Sequence, residues 1–155
     1  MGRFVFDTLP GWVLGALMLV GIALNFANVV SRHVFGQAIF WTEEILVYLT
    51  IWGVFLGMAA IAYRGEHLNM DLFSAAIPSR WRALHRGLVA TAMLAVCAFV
   101  AVQSWQTVTL FAQAGQVSLA AGVPKAIPHA ALLVGFVLTA AAVLVRLRSY
   151  LSGKF

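Results

Sequence analysis

The sequence has few charged residues, with ten lysines and arginines against five aspartates and glutamates in 155 residues. Charged residues make up 10% of the chain, whereas an average soluble domain has roughly 25%. Apolar residues make up 63%, and a fold of this size buries only about two-thirds of its surface. The remaining apolar surface would face water, which excludes a soluble monomer and predicts a membrane protein.

Cysteine is also scarce, since Cys97 is the only one. A single thiol excludes a dithiol redox pair and a cysteine metal cage within this chain. The four histidines fall at or beyond the ends of the apolar runs, whereas two axial haem ligands must share a depth and face each other. Neither a phosphate-binding glycine loop nor a nucleophile elbow is present. We therefore expect no enzyme and no cofactor, and a membrane haem or redox subunit is the weakest alternative.

Long apolar runs occupy most of the sequence. Four uncharged runs of 19 to 26 residues cover more than half of it. A membrane-spanning helix needs about 20 apolar residues, and these continuous runs lack the alternation of a barrel strand. We predict one all-α membrane domain over residues 1–155, with four transmembrane helices at about 11–31, 39–63, 86–112 and 126–147. The first run is longer than a signal-peptide core, so we interpret it as an uncleaved span.

The distribution of basic residues predicts the orientation. Only Arg32 and Lys125 lie on one side of the predicted spans. The other eight lie on the opposite side: Arg3, Arg64, Arg80, Arg82, Arg86, Arg146, Arg148 and Lys154. The positive-inside rule therefore predicts that the N- and C-termini are cytoplasmic. Basic residues at helix ends suit anionic lipid headgroups, whereas nucleic-acid-binding proteins gather them on one face, so we expect no nucleic-acid partner.

The longest connection lies between the second and third predicted spans. Apolar and polar residues alternate over residues 68–77, and Pro78 ends this segment. We predict a short interfacial helix here, with one apolar side in the headgroup region. Trp81, between two arginines, is a candidate interfacial anchor together with His67 and Asp71.

Two glutamates follow Trp41 near the start of the second predicted span. With a helix that begins near Ile39, Glu43 and Glu44 would lie about one turn inside it. A carboxylate at this depth is costly unless it is paired or hydrated. Arg32 ends the first span on the same side, within reach of either glutamate across a short loop. We favour a structural ion pair that closes this helical hairpin and meets a partner subunit, and a proton or cation site is the alternative.

Two further pairs of residues indicate contacts between helices. Asn25 and Asn28 lie three residues apart, hence on one face of the first span. Amides at such a depth usually bond to a neighbouring helix or subunit. Gly53 and Gly57 form a Gly-x-x-x-Gly motif in the second span, which permits close helix packing.

A transporter made of this chain alone is an alternative function. Such proteins usually show internal repeats, broken spans and charged sites near the middle of the membrane. No predicted span has an ionisable residue at its centre. The residues therefore favour a helical scaffold that packs against another membrane protein.

Several short motifs then occur in a characteristic order. They are Asn28 with residues 32–36 (Arg-His-Val-Phe-Gly), residues 41–44 (Trp-Thr-Glu-Glu), residues 52–57 (Trp-Gly-Val-Phe-Leu-Gly), Arg64 with residues 67–71 (His-Leu-Asn-Met-Asp), and residues 118–124 (Ser-Leu-Ala-Ala-Gly-Val-Pro). In this order and spacing, about residues 15–147 resemble the small membrane subunit of tripartite ATP-independent periplasmic (TRAP) transporters, the DctQ-like family. His33, Lys125 and His129 depart from the family's pattern, which often has aromatic residues there.

The resemblance implies partners and a role. Family members pair with a large transmembrane permease subunit that carries the substrate path and the sodium sites, and a periplasmic substrate-binding protein delivers an organic acid to the pair. By this similarity, the chain is a scaffold and anchoring subunit of a sodium-driven uptake system in the lipid bilayer of a bacterial inner membrane. It is expected to hold neither the substrate nor the sodium. The residues that match the family by position are Arg32, Glu43 and Glu44, followed by Trp41, Gly53, Gly57, His67 and Asp71.

Overall fold

The structure is a computed structural model that describes residues 8–64, 79–147 and 149. It contains four helices: α1 (Leu9–Val34), α2 (Thr42–Arg64), α3 (Ser79–Gln113) and α4 (Ala126–Val145). Each contains a segment that is long and apolar enough to cross a membrane. The predicted all-α fold with four transmembrane helices is therefore confirmed. The predicted interfacial helix lies outside the described residues, and the cytoplasmic location of the termini stays a prediction.

The helix ends differ in part from the predicted bounds. α1 begins earlier than predicted, because Pro10 suits the first turn of a helix, where an N–H has no partner in any case. α3 begins at Ser79, well before its apolar segment at Gly87. α2 begins at Thr42 rather than near Ile39, whose carbonyl accepts a hydrogen bond from the Thr42 N–H. The two glutamates of α2 therefore lie in its first turn and not one turn inside it.

The helices pack side by side in the order α1, α2, α4, α3. α1 contacts α2, α2 contacts α4, and α4 contacts α3. α4 is therefore central, although it comes last of the four in sequence. Among the residues of α1, all of which the structure describes, only Pro10 is buried. α1 is thus a peripheral helix that is attached through α2.

Small residues form most of the buried contacts between helices. Ala62, Tyr63, Ala142 and Val143 form a buried cluster, which is flanked by the partly buried side chains of α3 at Met93 and Leu94. Further buried alanines are Ala59, Ala60, Ala90 and Ala131. Small side chains let helices approach closely, which drives helix association where lipid replaces water. Large apolar side chains mostly face outward.

Among the described glycines, the tightest contact with a neighbouring helix lies between α4 and α2. A Cβ atom added to Gly135 would lie 2.5 Å from Cβ of Phe55 and 2.9 Å from its carbonyl oxygen. Gly53 and Gly57, by contrast, face Leu14 of α1, and an added Cβ would lie 3.7 and 3.6 Å from its methyl groups. These are ordinary contact distances. The Gly-x-x-x-Gly motif therefore lies at the α1–α2 contact, but the position that requires glycine is Gly135.

Candidate functional site

The polar candidate residues gather at one end of the bundle, where the α1–α2 loop (residues 35–41) and the α3–α4 loop (residues 114–125) lie. We call this end the loop end. In the α1–α2 loop, the Ile39 N–H donates a 2.8 Å hydrogen bond to Oδ1 of Asn28. The Ser31 hydroxyl donates to the carbonyl of Gln37 at 2.7 Å. Gly36 has a φ of +67°, which a residue with a side chain rarely adopts. These bonds hold the loop against the end of α1.

The α3–α4 loop folds back on itself as a small hairpin. The Ser118 N–H donates to the carbonyl of Val123 at 2.8 Å, and the Lys125 N–H donates to the carbonyl of Gln116 at 3.0 Å. The Ser118 side-chain oxygen accepts a 3.2 Å bond from the Val123 N–H. Ser118 is buried, so its hydroxyl is part of the interior of this turn. The loop therefore has a defined shape with its tip at residues 119–122.

Glu44 attaches this tip to α2. One carboxylate oxygen, Oε2, accepts hydrogen bonds from the N–H groups of Ala120 at 3.2 Å and Ala121 at 2.9 Å. The other, Oε1, accepts a 2.7 Å bond from the hydroxyl of Tyr48, one turn further along α2. Hydrogen bonds to an ionised carboxylate are stronger than those between neutral groups. A single side chain thus connects two segments that lie 76 residues apart in the sequence.

Arg32 lies next to Glu43 rather than Glu44. Nη2 of Arg32 is 3.9 Å from Oε1 of Glu43, and these two side chains are 57% and 77% exposed. An exposed pair at this distance contributes little to stability. The predicted hairpin-closing ion pair is therefore a weak surface contact, and the hydrogen bonds of Asn28 and Ser31 hold the α1–α2 loop. The two adjacent glutamates have different partners, since neighbouring residues on a helix point in different directions.

The weak pair leads to a prediction. Reversing the charge at Arg32 (Arg32→Glu) should change the free energy of unfolding by no more than about 1 kcal/mol. The double change with Glu43→Arg should return the wild-type value within the same range. Thermal unfolding of the purified chain in detergent, at low and high salt, measures both. A loss well above this range, restored by the double change, would show that the ion pair is a major contact.

Phe111 of α3 and His129 of α4 contact each other beside the α3–α4 loop. Nδ1 of His129 is 2.7 Å from the carbonyl oxygen of Lys125. The His129 ring packs on Phe111, with ring centroids 4.6 Å apart. The imidazole of His129 thus packs on Phe111 in the way expected of the aromatic residue that the family often has at this position.

The other candidate residues are placed as follows. Trp41 lies just before α2 and is partly exposed, and its carbonyl accepts from the N–H of Ile45. Asn25 is exposed on α1 and lies near the middle of the helix, away from the loop end. His67 and Asp71 lie outside the described residues, as does the side chain of Trp81. Within the described ranges, no group of three or more His, Cys, Asp or Glu side chains is placed to hold a metal ion.

Several residues of the site were not singled out by the sequence. Tyr48 is one turn from Glu44, a spacing that indicates a side-chain pair on a helix. Ser118 belongs to a motif that the resemblance includes, but the motif indicates no partner. The contact of Glu44 with the backbone of Ala120 and Ala121 has no sequence signal, because any residue other than proline offers an N–H.

Comparisons with known proteins agree with the architecture. The family model described as tripartite ATP-independent periplasmic transporters, DctQ component, matches residues 21–153. The C4-dicarboxylate TRAP transporter small permease protein DctQ of Vibrio cholerae is 28% identical over 105 residues, which are 68% of this chain and 45% of that protein. A Haemophilus influenzae protein described as a TRAP transporter small permease is 28% identical over 149 residues, or 96% of this chain and 91% of that protein.

A third relative is much longer. The sialic acid TRAP transporter permease protein SiaT of Haemophilus influenzae is 26% identical over 94 residues, which are 61% of this chain and 15% of that protein. The chain thus spans less than half of the Vibrio protein and a small part of SiaT, but nearly all of the second relative.

The family match extends over most of the chain, and the four apolar helices are those of a multi-pass protein of the inner membrane. The relatives that align with most of the chain are small permeases of the same class of transporter. The chain belongs to the DctQ family, the small permease component of tripartite ATP-independent periplasmic transporters.

Proposed function

We propose that the chain is a scaffold and anchoring subunit that supports sodium-driven uptake of an organic acid, without holding the acid itself. The observation that carries this proposal is the hydrogen bonding of Glu44. Both of its carboxylate oxygens accept bonds from the chain's own groups, on Tyr48, Ala120 and Ala121. The most prominent acidic group at the start of a span therefore holds two parts of the bundle in a fixed arrangement, which is the property of a scaffold.

The apolar lining of the surface groove between α1 and α2 supports a substrate path that lies in another subunit. This groove has a volume of about 810 Å³. Its polar side chains are Asn25 and Thr50, and the rest of its lining is apolar or glycine. Recognition of a carboxylate normally uses a cationic side chain or converging hydrogen-bond donors. The groove suits apolar packing, and we therefore assign the substrate path and the sodium sites to a larger permease subunit.

The relatives support the assignment of the substrate path to a larger permease subunit. The match with SiaT covers 15% of that permease, so a region like this chain is joined to a much longer polypeptide there. This supports a larger permease subunit as the partner of this chain. The names of SiaT and of the Vibrio protein refer to sialic acid and to C4-dicarboxylates, which both carry carboxyl groups. They support an organic acid as the substrate class and, with the family's tripartite form, a periplasmic binding protein as the third component.

Reconstitution into vesicles tests this proposal. Vesicles with the large permease, this chain and the binding protein should take up the acid when a sodium gradient is imposed. Vesicles with this chain and the binding protein alone should take up none, and omission of this chain should lower uptake at least tenfold. Uptake by this chain alone would instead establish the self-contained transporter. Undiminished uptake without this chain would contradict a scaffold role.

A further inference from the structure

The α1–α2 groove follows the line along which the two helices meet. Gly21 and Gly53 lie on this line, since an added Cβ would reach Leu46 at 3.6 Å from the first and Leu14 at 3.7 Å from the second. Phe26 and Val54 border the groove with exposed side chains. The groove is thus an open apolar channel on the outside of the bundle, and it is long enough to receive a row of side chains from a neighbouring helix.

Of the two polar side chains in this groove, Thr50 donates a 2.8 Å hydrogen bond to the carbonyl of Leu46, whereas Asn25 lies at a depth where an amide without a partner is costly. Asn25 is about 5 Å along the helix axis from the midpoint of α1. Its side-chain amide offers two donors and an acceptor. Within the described ranges, the side-chain amide of Asn25 makes no hydrogen bond. Asn28, one turn away, is by contrast bonded to the backbone of Ile39. Asn25 therefore lacks within this bundle the partner that an amide in hydrocarbon needs.

We propose that the α1–α2 groove receives a transmembrane helix of the larger permease subunit, and that Asn25 hydrogen-bonds to a polar group on that helix. This inference rests on the proposed function, because it requires a larger permease as the partner. It adds which face of this chain is the interface and which side chain supplies its polar contact.

Three observations favour a permease helix over the other occupants of the groove. The acyl chain of a lipid fills apolar space but offers nothing to the amide of Asn25, whereas a helix can present a hydroxyl, an amide or a carbonyl. The match with SiaT shows a region like this one within a longer permease chain, which keeps the two parts together. α1 also has the least buried apolar segment of the four helices, with 0% of that segment buried against 17–33% in the others. A partner on this face would cover the most exposed helix of the bundle.

Photo-crosslinking in the assembled complex tests the face. A benzophenone side chain is introduced at Phe26 on the border of the groove, and in a separate variant at Phe99 on α3. These two phenylalanines form a matched pair, because they are 69% and 66% exposed. The chain is expressed with its large permease, and membranes are irradiated. We expect a crosslinked product that contains both subunits from position 26, at least tenfold stronger than from position 99.

A substitution tests the amide. Asn25→Leu keeps the size of the side chain and removes its hydrogen bonds, and we expect about three- to tenfold less permease to be retained on the tagged chain after detergent washing. Asn25→Gln, which keeps an amide, should retain more than Asn25→Leu. The unfolding temperature of the isolated chain should not fall in either variant, since Asn25 has no bond to lose there. This separates a lost interface contact from a damaged fold.

The outcomes separate the inference from the proposed function. A crosslink to the permease from position 99 and none from position 26 would overturn the inference and leave the scaffold function intact. A product from position 26 that contains two copies of this chain, or lipid alone, would also overturn it. Full retention of the permease by Asn25→Leu would refute the role of the amide. Failure of the wild-type chain to co-purify with any permease would refute the proposed function and the inference together.

Discussion

Replacement of Glu44 by alanine is expected to lower the unfolding temperature of the chain by about 4–8 °C. The change removes the acceptor for the N–H groups of Ala120 and Ala121 and for the hydroxyl of Tyr48. Donors that lose their partner in a partly buried site are more costly than the hydrogen bonds are favourable. The α3–α4 loop would also lose its attachment to α2. Glu44→Gln, which keeps one carbonyl oxygen, should show a smaller loss.

Glu43 provides a matched control for this experiment. It is the same residue type at the next position of the same helix turn, and its side chain is 77% exposed. Glu43→Ala should therefore leave the unfolding temperature nearly unchanged. Thermal unfolding in detergent compares the variants, and proteolysis at the α3–α4 loop reports whether the loop has been released. Equal losses for the two glutamates would contradict the role of Glu44.

Replacement of Gly135 by alanine is expected to destabilise the chain by about 1–3 kcal/mol, as overpacking of a tight contact does. The new methyl group would lie 2.5 Å from Cβ of Phe55 and 2.9 Å from its carbonyl oxygen. These are atoms of the α2 backbone and its first side-chain carbon, which no rotamer change can move. α2 and α4 would have to separate, with the loss of the ring contact between Phe55 and Phe136, whose centroids are 5.8 Å apart.

Two glycines of α2 are the controls. Gly53→Ala and Gly57→Ala would place a methyl group at 3.7 and 3.6 Å from the side chain of Leu14, which is ordinary contact. Both should be neutral or slightly stabilising, since alanine favours a helix over glycine. The double change Gly135→Ala with Phe55→Ala should not recover stability, because the clashing Cβ and carbonyl of residue 55 remain. Chemical unfolding in mixed micelles gives the free energies, and tolerance of Gly135→Ala would refute the close approach.

The membrane-spanning helices were predictable from the sequence because they depend on local composition. An uncharged run of about 20 residues in a bilayer forms a helix, because its backbone groups must be hydrogen-bonded within the segment. The start of α2 was less predictable, since it depends on a turn at Ile39 and Thr42 that the apolar pattern does not reveal. Composition also does not reveal the neighbours of each helix, so the central position of α4 was not predicted.

The residue types of the candidate site were predictable from the sequence, but the groups that these side chains contact were not. Arg32, Glu43 and Glu44 were found as polar residues at the ends of apolar runs. The sequence favoured an ion pair across the short loop, because Arg32 is the nearest opposite charge. The structure pairs Arg32 loosely with Glu43 and bonds Glu44 to a backbone N–H group 76 residues away. Likewise, the glycine that matters most for packing, Gly135, belongs to no motif, because its role depends on how closely Phe55 approaches it.

The position of α4 between α2 and α3 has a consequence for how the chain is made. Helices enter the membrane in the order of synthesis, so α4 is the last of the four described helices to arrive. In the part of the chain that the structure describes, α2 and α3 barely touch each other, and each packs mainly on α4. α1 can pack on α2 as soon as both are present, but α3 has little to pack on until the last helix inserts between it and α2. Both ends of the α3–α4 loop are held only once the fourth helix is in place, and its tip is then positioned to bond to Glu44.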